Sequence, residues 1–498
     1  MFSPSIEEVK EISKNKEYKR IPISYELFSD IATPVEVLRI LKGTSNHCYM
    51  LESIEDSEKW GRYSFLGFDP LLEFTCQNGG VQIKGDSDFN ELNDDLITVE
   101  TDNPGDIIRD LVSKNKSPKL DFLPPFTGGF VGYFAYDYIK YAEPSLNLDA
   151  ENQDQFKDID LMLFDKVIAF DNFKQKIIII VNMKTEDLEN SYKKACSDLK
   201  ELADLIKNGK KAEIEPLKLK SDFTPAFSRE KYCEMVEKAK NYIREGDIFQ
   251  VVLSNRIEAD ISGSLFDTYR VLRTTNPSPY MFYFSSNDIE IAGASPETLV
   301  KLTDGKLYTF PLAGTRPRGR TEEEDLKLEE ELLADEKELA EHNMLVDLGR
   351  NDIGRISEIG SVSVDKYLSI ERFSHVMHIG STVTGTLRSD LDPLAAIDSI
   401  LPAGTLSGAP KIRACEIINE LEDNKRGIYG GAIGYVDLSG NIDTCISIRI
   451  AFARNNKVFI RSGAGIVADS VPDSEFDESL NKAAAVINAL KIADGGLE

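Results

Sequence analysis

The sequence predicts an α+β fold, with large, mainly antiparallel β-sheets and helices packed outside them. Three observations carry that expectation. Strand-like runs follow one another in hairpin-like series, and helices fall between the series rather than after every strand. No GxGxxG turn joins a strand to a helix, so a doubly wound parallel sheet lacks its signature. At 498 residues, with 41% hydrophobic and 29% charged residues, the chain can bury a sizeable core and has ordinary globular usage, which excludes collagenous, low-complexity and disordered classes.

The elements follow in chain order. Residues 5–13 read as a helix, residues 63–68, 129–136, 160–170 and 176–183 as strands, and residues 185–207 as a helix. The run 176–183, with four consecutive isoleucines, is the longest apolar stretch and falls far short of the roughly 20 residues that span a bilayer; it predicts a buried strand. Residues 207–225 are rich in Lys with Gly and two Pro, and they mark a boundary or crossing segment between residues 1–220 and 221–498. Ser228 then caps a helix running to Arg244, and strands follow at 247–256, 279–285, 289–293, 299–302 and 307–311. Thr321 opens a run of Glu, Leu, Lys and Ala that predicts one long helix to about Leu348. Strands at 361–364 and 376–387, helices at 393–399 and 410–421, strands at 428–438, 441–453 and 457–462, and a closing helix from about Glu475 complete the chain.

Lys and Arg number 58 against 85 Asp and Glu, a formal charge of −27, so the surface repels phosphate backbones and anionic lipid; neither nucleic acid nor membrane is an expected partner. An anionic ligand would need local positive potential from a metal ion, Arg, Lys or backbone N–H groups. The N-terminus shows no apolar stretch behind its charges, and the six cysteines stand singly without CxxC spacing. A reducing cytoplasm is the expected location.

Several segments carry residue types with chemistry. Glu338 and Glu341 stand three apart and share a helix face, as do Glu475, Glu478 and Lys482 on the closing helix. Either pair alone fits a solvated acidic face; two carboxylate pairs on separate helices are also what Mg²⁺ takes, since it needs oxygen ligands and keeps waters and an anionic substrate in its shell. The strand end at Gly463, Ala464 and Gly465 can present backbone N–H groups to a carboxylate, or be an ordinary turn. Arg449 alternates with Cys445 and Ser447, so it either lies on an exposed edge or, if buried, grips a carboxylate in a bidentate fork. Residues 311–320 and 401–411 are turn-rich entrances to helices, able to donate to an anion or simply to cap. His342, His375 and His378 are three of the four histidines, each compatible with a satisfied buried imidazole.

In order, EHNMLVDLGRNDIGR (341–355), FSHVMHIGSTVTG (373–385), LPAGTLSGAPKIRACEIINELE (401–422), RGIYGGAIGYVDLSGNIDTCISIRIAF (426–452) and GAGIVADSVPDSEFDESLNKA (463–483) resemble the chorismate-utilising enzymes, most closely the large component of anthranilate synthases. The match covers residues 227–490, and residues 50–54 and 60–67 resemble that family's N-terminal region. The resemblance implies the family's fold, an N-terminal regulatory region at 1–220 and a C-terminal chorismate-binding catalytic region at 221–498. It implies Mg²⁺ as cofactor on Glu341 and Glu478, with Glu338 and Glu475 behind them or joining through water, the ion holding the ring carboxylate of chorismate. Arg449 and Tyr429 would meet the enolpyruvyl carboxylate, and Gly463, Ala464, Gly465 and Lys482 would lie near the ring carboxylate. Gly314, Thr315, Thr405 and His378 would line the ring, with His378 assisting pyruvate elimination. Glu297, a turn carboxylate from its residues alone, would be the general acid for the departing C4 hydroxyl.

Within the family, members that add water use a Lys as base at the position held here by Gln250, and a neutral amide cannot take a proton from water. Aminodeoxychorismate synthases resemble this chain but many carry a covalently reacting Lys at Ala313. The fit that remains is ammonia addition at C2 with loss of the C4 hydroxyl, then pyruvate elimination to anthranilate. A catalytically silent binding subunit is the alternative from another class. None of the cysteines sits in a G-x-C-x-G turn, so a separate glutamine amidotransferase subunit, in a heterotetramer, is implied as partner. Resemblance also implies a tryptophan inhibitor site of Glu52 and Ser53 toward the ligand's amino group, Pro279, Tyr280, Met281 and Phe282 around it, and Tyr435 and Cys445 nearby.

Overall fold

Alternation along the strands builds a two-sheet sandwich. The computed structural model describes residues 2–53, 61–85, 96–372 and 376–497; His375 and residues 54–60 of the early segment lie outside the described residues. Every strand-to-strand ladder among the described residues is antiparallel. One sheet runs from Arg20–Phe28 through Lys176–Lys184, Lys166–Asp171, Tyr63–Phe68 and Cys48–Glu52 to Tyr280–Ser285, Glu290–Ser295, Ile450–Arg454, Lys457–Ile466 and Gln250–Ser262. The other runs from Leu312–Pro317 through Val376–Thr386, Lys306–Thr309, Thr298–Thr303, Ile442–Ile446 and Ala432–Asp437 to Gly129–Phe134, Ile159–Phe164, Leu72–Gln77, Gly80–Gly85 and Leu96–Glu100.

The isoleucine run shows why these sheets bury both faces. Ile178 and Ile180 point into the layer between the sheets, with Tyr49, Phe164, Phe282, Tyr435 and Phe452. Ile177, Ile179 and Val181 point outward, where the helix Leu188–Asn208 covers them; Phe266–Thr275 and Pro472–Ala493 cover other strands of the same sheet. A strand covered on both faces reads as continuous apolar sequence instead of alternation. Emptying the inner layer, for instance by Phe452→Ala, would cost about 3–5 kcal/mol. The α+β class with antiparallel sheets and outer helices therefore holds.

Residues 1–220 and 221–498 meet edge to edge inside each sheet. Cys48–Glu52 pairs with Tyr280–Ser285 in one, and Gly129–Phe134 with Ala432–Asp437 in the other. Both sheets thus continue across the division drawn in the sequence.

Three expected elements each break in two. The long helix from Thr321 is two, Glu322–Leu333 and Glu336–Gly354, because the Asp335 carboxylate accepts from the backbone N–H groups of Lys337 and Glu338 and starts a new helix. The strand expected at 160–170 is two, Ile159–Phe164 and Lys166–Asp171, which lie in different sheets. The strand expected at 441–453 breaks likewise into Ile442–Ile446 and Ile450–Arg454, so Cys445, Ser447 and Arg449 do not share one strand face. Each break falls at a short polar interruption, Asp165-Lys166 in one and Ser447 to Arg449 in the other, where the chain passes from one sheet to the other.

Candidate active site

The site forms where two segments change sheets side by side. The chain crosses from Glu290–Ser295 to Thr298–Thr303 through Pro296 and Glu297, and crosses back from Ile442–Ile446 to Ile450–Arg454 through residues 447–449. The crossings are tied together: Ile446 N–H donates to the Glu297 carbonyl (2.9 Å), Ser295 Oγ to the Ile446 carbonyl (2.7 Å) and Ala294 N–H to the Arg449 carbonyl (3.2 Å). Outside a ladder, side chains are released from strict alternation and can converge. Arg449 takes φ of +52°, a left-handed conformation that costs a non-glycine residue about 1–3 kcal/mol and is characteristic of functional sites.

Thr405 Oγ1 donates to Glu297 Oε1 (2.9 Å). Desolvation pushes the Glu297 carboxyl up to about 7, against the opposing pull of Thr405, Arg449 and Lys482. Thr405 sits in the turn Gly404–Leu406, against the helix Glu336–Gly354; a Cβ on Gly404 would stand 1.6 Å from Leu348 Cδ2, so a larger residue there would displace the Leu348 side chain. Arg449 is exposed to solvent, and its guanidinium makes no hydrogen bond or ion pair among the described residues. Desolvation pulls it below the usual guanidinium range, while Glu297 raises it.

His378 Nδ1 lies 2.8 Å from the Gly314 carbonyl, which fixes the proton on Nδ1, and 3.1 Å from Thr315 Oγ1. Gly314 holds φ at +66°, which turns that carbonyl to the imidazole. Desolvation lowers His378, the Gly314 bond opposes it, and Arg449 adds to the lowering. Thr315 itself is exposed. Tyr429 is buried, its hydroxyl pushed up to about 12 by desolvation.

Gly463, Ala464 and Gly465 lie on the strand Lys457–Ile466, opposite Ser254, Leu253 and Val252. Lys482 Nζ donates to the Gly463 carbonyl (3.2 Å) and pairs with Glu478 (2.7 Å). Gln250, buried at the start of its strand, sets its Nε2 2.7 Å from where a Cβ on Gly465 would be. The structure therefore gathers Glu297, Thr405, Arg449, Lys482 and Gly463, with His378 reached through Arg449.

The four helix glutamates are a separate group. Burial and then Glu338 raise Glu341, with a smaller contribution from Glu478; burial and Glu478 raise Glu475 against a Ser470 hydrogen bond. Carboxylates from two helices thus repel one another, and a divalent cation would relieve that repulsion, so the donor set fits Mg²⁺. No three of them bring ligand atoms within 4.8 Å of one another; Arg316 approaches Glu338 at 3.8 Å and Lys482 holds Glu478. Among the described residues, Glu73, Asp160 and Asp288 do have that spacing. Their spacing could suit a metal ion; the cations that serve them here are Lys157, 2.9 Å from Asp160 and 3.3 Å from Asp288, and Arg454, 3.3 Å from Asp288. His342 is fully buried and bonds Ser381 Oγ through Nε2 (2.7 Å), a packing role.

The expected inhibitor residues are divided between the two sheets: Glu52 and the run from Tyr280 to Phe282 lie on one, Tyr435 and Cys445 on the other. Glu52 faces outward opposite Met281 and accepts from Tyr269 and from Arg273 Nε and Nη2. Ser53 Oγ is buried with no hydrogen-bond partner among the described residues. Phe282, Tyr435 and Cys445 line the layer between the sheets, with Tyr280 packed against it and bonded to Asp443 (2.8 Å); Pro279 is partly buried.

A family model described as chorismate binding enzyme matches residues 46–488. The chain belongs to the chorismate binding enzyme family. Within it, the chain is 46% identical to anthranilate synthase component 1 of Acetivibrio thermocellus and 44% identical to that of Aquifex aeolicus (strain VF5), each alignment covering 99% of both chains. The crystal structure of anthranilate synthase component I from Streptococcus pneumoniae TIGR4 aligns with a TM-score of 0.74 at 37% identity, over 92% of this chain and 98% of that one. The menaquinone-specific isochorismate synthase of Escherichia coli, at 19% identity and TM-score 0.69 over 97% of this chain and 98% of that one, shares the fold. No described helix is long and apolar enough to cross a membrane.

Arg426 and Glu422 are buried beside this family site and were not singled out from the sequence. The available signal was slight: Arg426 ends the charged stretch Glu422-Asp423-Asn424-Lys425-Arg426, directly before the apolar, glycine-rich run Gly427-Ile428-Tyr429-Gly430-Gly431.

Proposed function

We propose that this protein converts chorismate and ammonia to anthranilate and pyruvate as the large component of an anthranilate synthase. Ammonia comes from glutamine through an amidotransferase partner in a heterotetramer, Mg²⁺ is the cofactor, and tryptophan is the feedback inhibitor. Most weight falls on Glu297, a desolvated carboxyl near neutral pKa, hydrogen-bonded by Thr405 and beside the Arg449 guanidinium. The identity to anthranilate synthases over nearly the whole chain supports the choice of reaction.

Glu297 gives its proton to the C4 hydroxyl as that group leaves, which needs a carboxyl still protonated at working pH. Arg449 and Tyr429 hold the enolpyruvyl carboxylate, and Gly463 to Gly465 with Lys482 flank the ring carboxylate. Gln250 is a neutral amide, so water at C2 gains no base, while ammonia brings its own lone pair. Thr315 and Gly314 orient His378, whose Nε2 lone pair handles the proton lost as pyruvate departs and the ring aromatises. Glu341 and Glu478, supported by Glu338 and Glu475, would hold Mg²⁺, which when bound supplies fixed positive charge for the ring carboxylate. Ala313 offers no amine for a covalent adduct, which disfavours aminodeoxychorismate formation. The Ser53 hydroxyl, buried without a partner among the described residues, supports the tryptophan site, with Glu52, Pro279, Tyr280, Met281, Phe282, Tyr435 and Cys445 as its surroundings.

The test is anthranilate fluorescence from the purified chain with chorismate, Mg²⁺ and ammonium salt at alkaline pH. Product is expected with ammonium and not with glutamine, and glutamine use should appear when the amidotransferase subunit is added. Product from glutamine with the chain alone would overturn the two-subunit assignment; none from ammonium would overturn the reaction.

A further inference from the structure

Beneath the candidate site lies a buried Arg–Glu–Arg triad. Glu422, at the end of the helix Lys411–Glu422, accepts from Arg426 Nε (2.9 Å) and Nη2, from Arg461 Nη2 (2.7 Å), and from Ser254 N–H and Oγ (2.8 and 3.0 Å). All three ionic side chains are no more than 2% exposed. Removing such charges from water is expensive, and a stable core could be packed more simply with apolar residues.

Arg426 also reaches outward. Nη1 donates to the Leu406 carbonyl (2.6 Å) and Nη2 to the Val252 carbonyl (2.7 Å). Leu406 is the neighbour of Thr405, and Val252 lies two residues from Gln250. The guanidinium also sits 4.6 Å from the ring centroid of Tyr136 and 5.8 Å from that of Tyr429.

From this geometry we infer that Arg426 is a positioning residue, which fixes the Gly404–Leu406 turn so that the Thr405 hydroxyl stays on the Glu297 carboxylate. Resting on the proposed acid role of Glu297, it adds a device that sets the proton-donating range of that acid. The Thr405 bond favours the ionised carboxylate, so loosening the turn lets the Glu297 pKa rise. The other charged groups toward Glu297 are Arg449 from residues 447–449 and Lys482 from the C-terminal helix, with Asp352 on the same cavity wall; none contacts Arg426.

The experiment follows the alkaline limb of ammonia-dependent kcat/KM, normalised to free ammonia, for wild type, Arg426→Lys, Thr405→Val and Thr405→Ser. Lys keeps a charge for Glu422 but cannot also reach both carbonyls. Arg426→Lys and Thr405→Val should move the limb upward together by about one pH unit, and Thr405→Ser should restore it. If Arg426→Lys does not fold, Arg426→Met with Glu422→Leu and Arg461→Met removes the same tether without stranding a buried charge. An unmoved limb in the folded Arg426 variant, with only its melting temperature lowered, would overturn the positioning role. Glu297→Gln separates the failures: if it retains turnover, the acid assignment is wrong; if it is inactive while the limb does not move, only the tether is wrong.

Discussion

Glu297 and the four helix glutamates are both carboxylate sites, built in opposite ways. Glu297 stands alone among groups that the chain itself supplies: a hydroxyl on one oxygen, a guanidinium beside it, and enough desolvation to hold its proton near neutrality. Glu338, Glu341, Glu475 and Glu478 project from two helices, and their mutual repulsion contributes to the raised values of Glu341 and Glu475. A proton donor must be poised before substrate arrives, so its environment is fixed by the fold. A cation site is completed by the cation, so its ligands can stay apart and partly solvated until charge is supplied.

The largest expected effects break this comparison directly. Glu297→Gln should lower turnover by about 10²- to 10⁴-fold, and Glu341→Gln or Glu478→Gln should abolish it, with glutamine and ammonia alike. Raised Mg²⁺ should partly rescue the helix variants and leave Glu297→Gln unchanged. Near-normal activity of either helix variant at limiting Mg²⁺ would remove the metal assignment.

A smaller effect lies in stability against pH. Because the folded Glu297 pKa is raised, the folded state binds the extra proton between about 4.5 and 7, and stability falls as pH rises through that window. Glu297→Gln should therefore gain stability over wild type across the window, by no more than about 3 kcal/mol, and level off above pH 7. Thermal melts from pH 4 to 8 check this, and a pH-independent difference would argue against a desolvated Glu297.

Mg²⁺ offers a contrast independent of turnover. At 100 times its dissociation constant the ion should stabilise wild type by about 2.7 kcal/mol, and the Glu341→Gln/Glu478→Gln double variant much less, read as a shift in melting temperature. Equal shifts in both proteins would place binding elsewhere.

The subtlest change is Ser53→Phe, which should relieve tryptophan inhibition while leaving uninhibited turnover largely intact. Wild-type and variant inhibition curves that superimpose would exclude Ser53 from the inhibitor site.

The sequence by itself determined the α+β class, the placement of most strands, and the i, i+3 glutamate pairs, because burial periodicity and helix spacing are local properties. It also showed Ser228 as a helix cap, whose side chain accepts from the Lys231 N–H at 3.3 Å. Asp335, the cap that divides the expected long helix, was hidden in a run of good helix formers. Only the tertiary structure decided where the chain leaves one sheet for the other, at Asp165 and at residues 447–449, because one or two polar residues between apolar runs fit a polar position within one ladder as well as a passage between two. That passage brings Arg449 to Glu297 across 152 residues of sequence and sets Arg426 behind Thr405. Convergence of this kind rests on side chains released from the strand period, and no periodicity in the sequence records it.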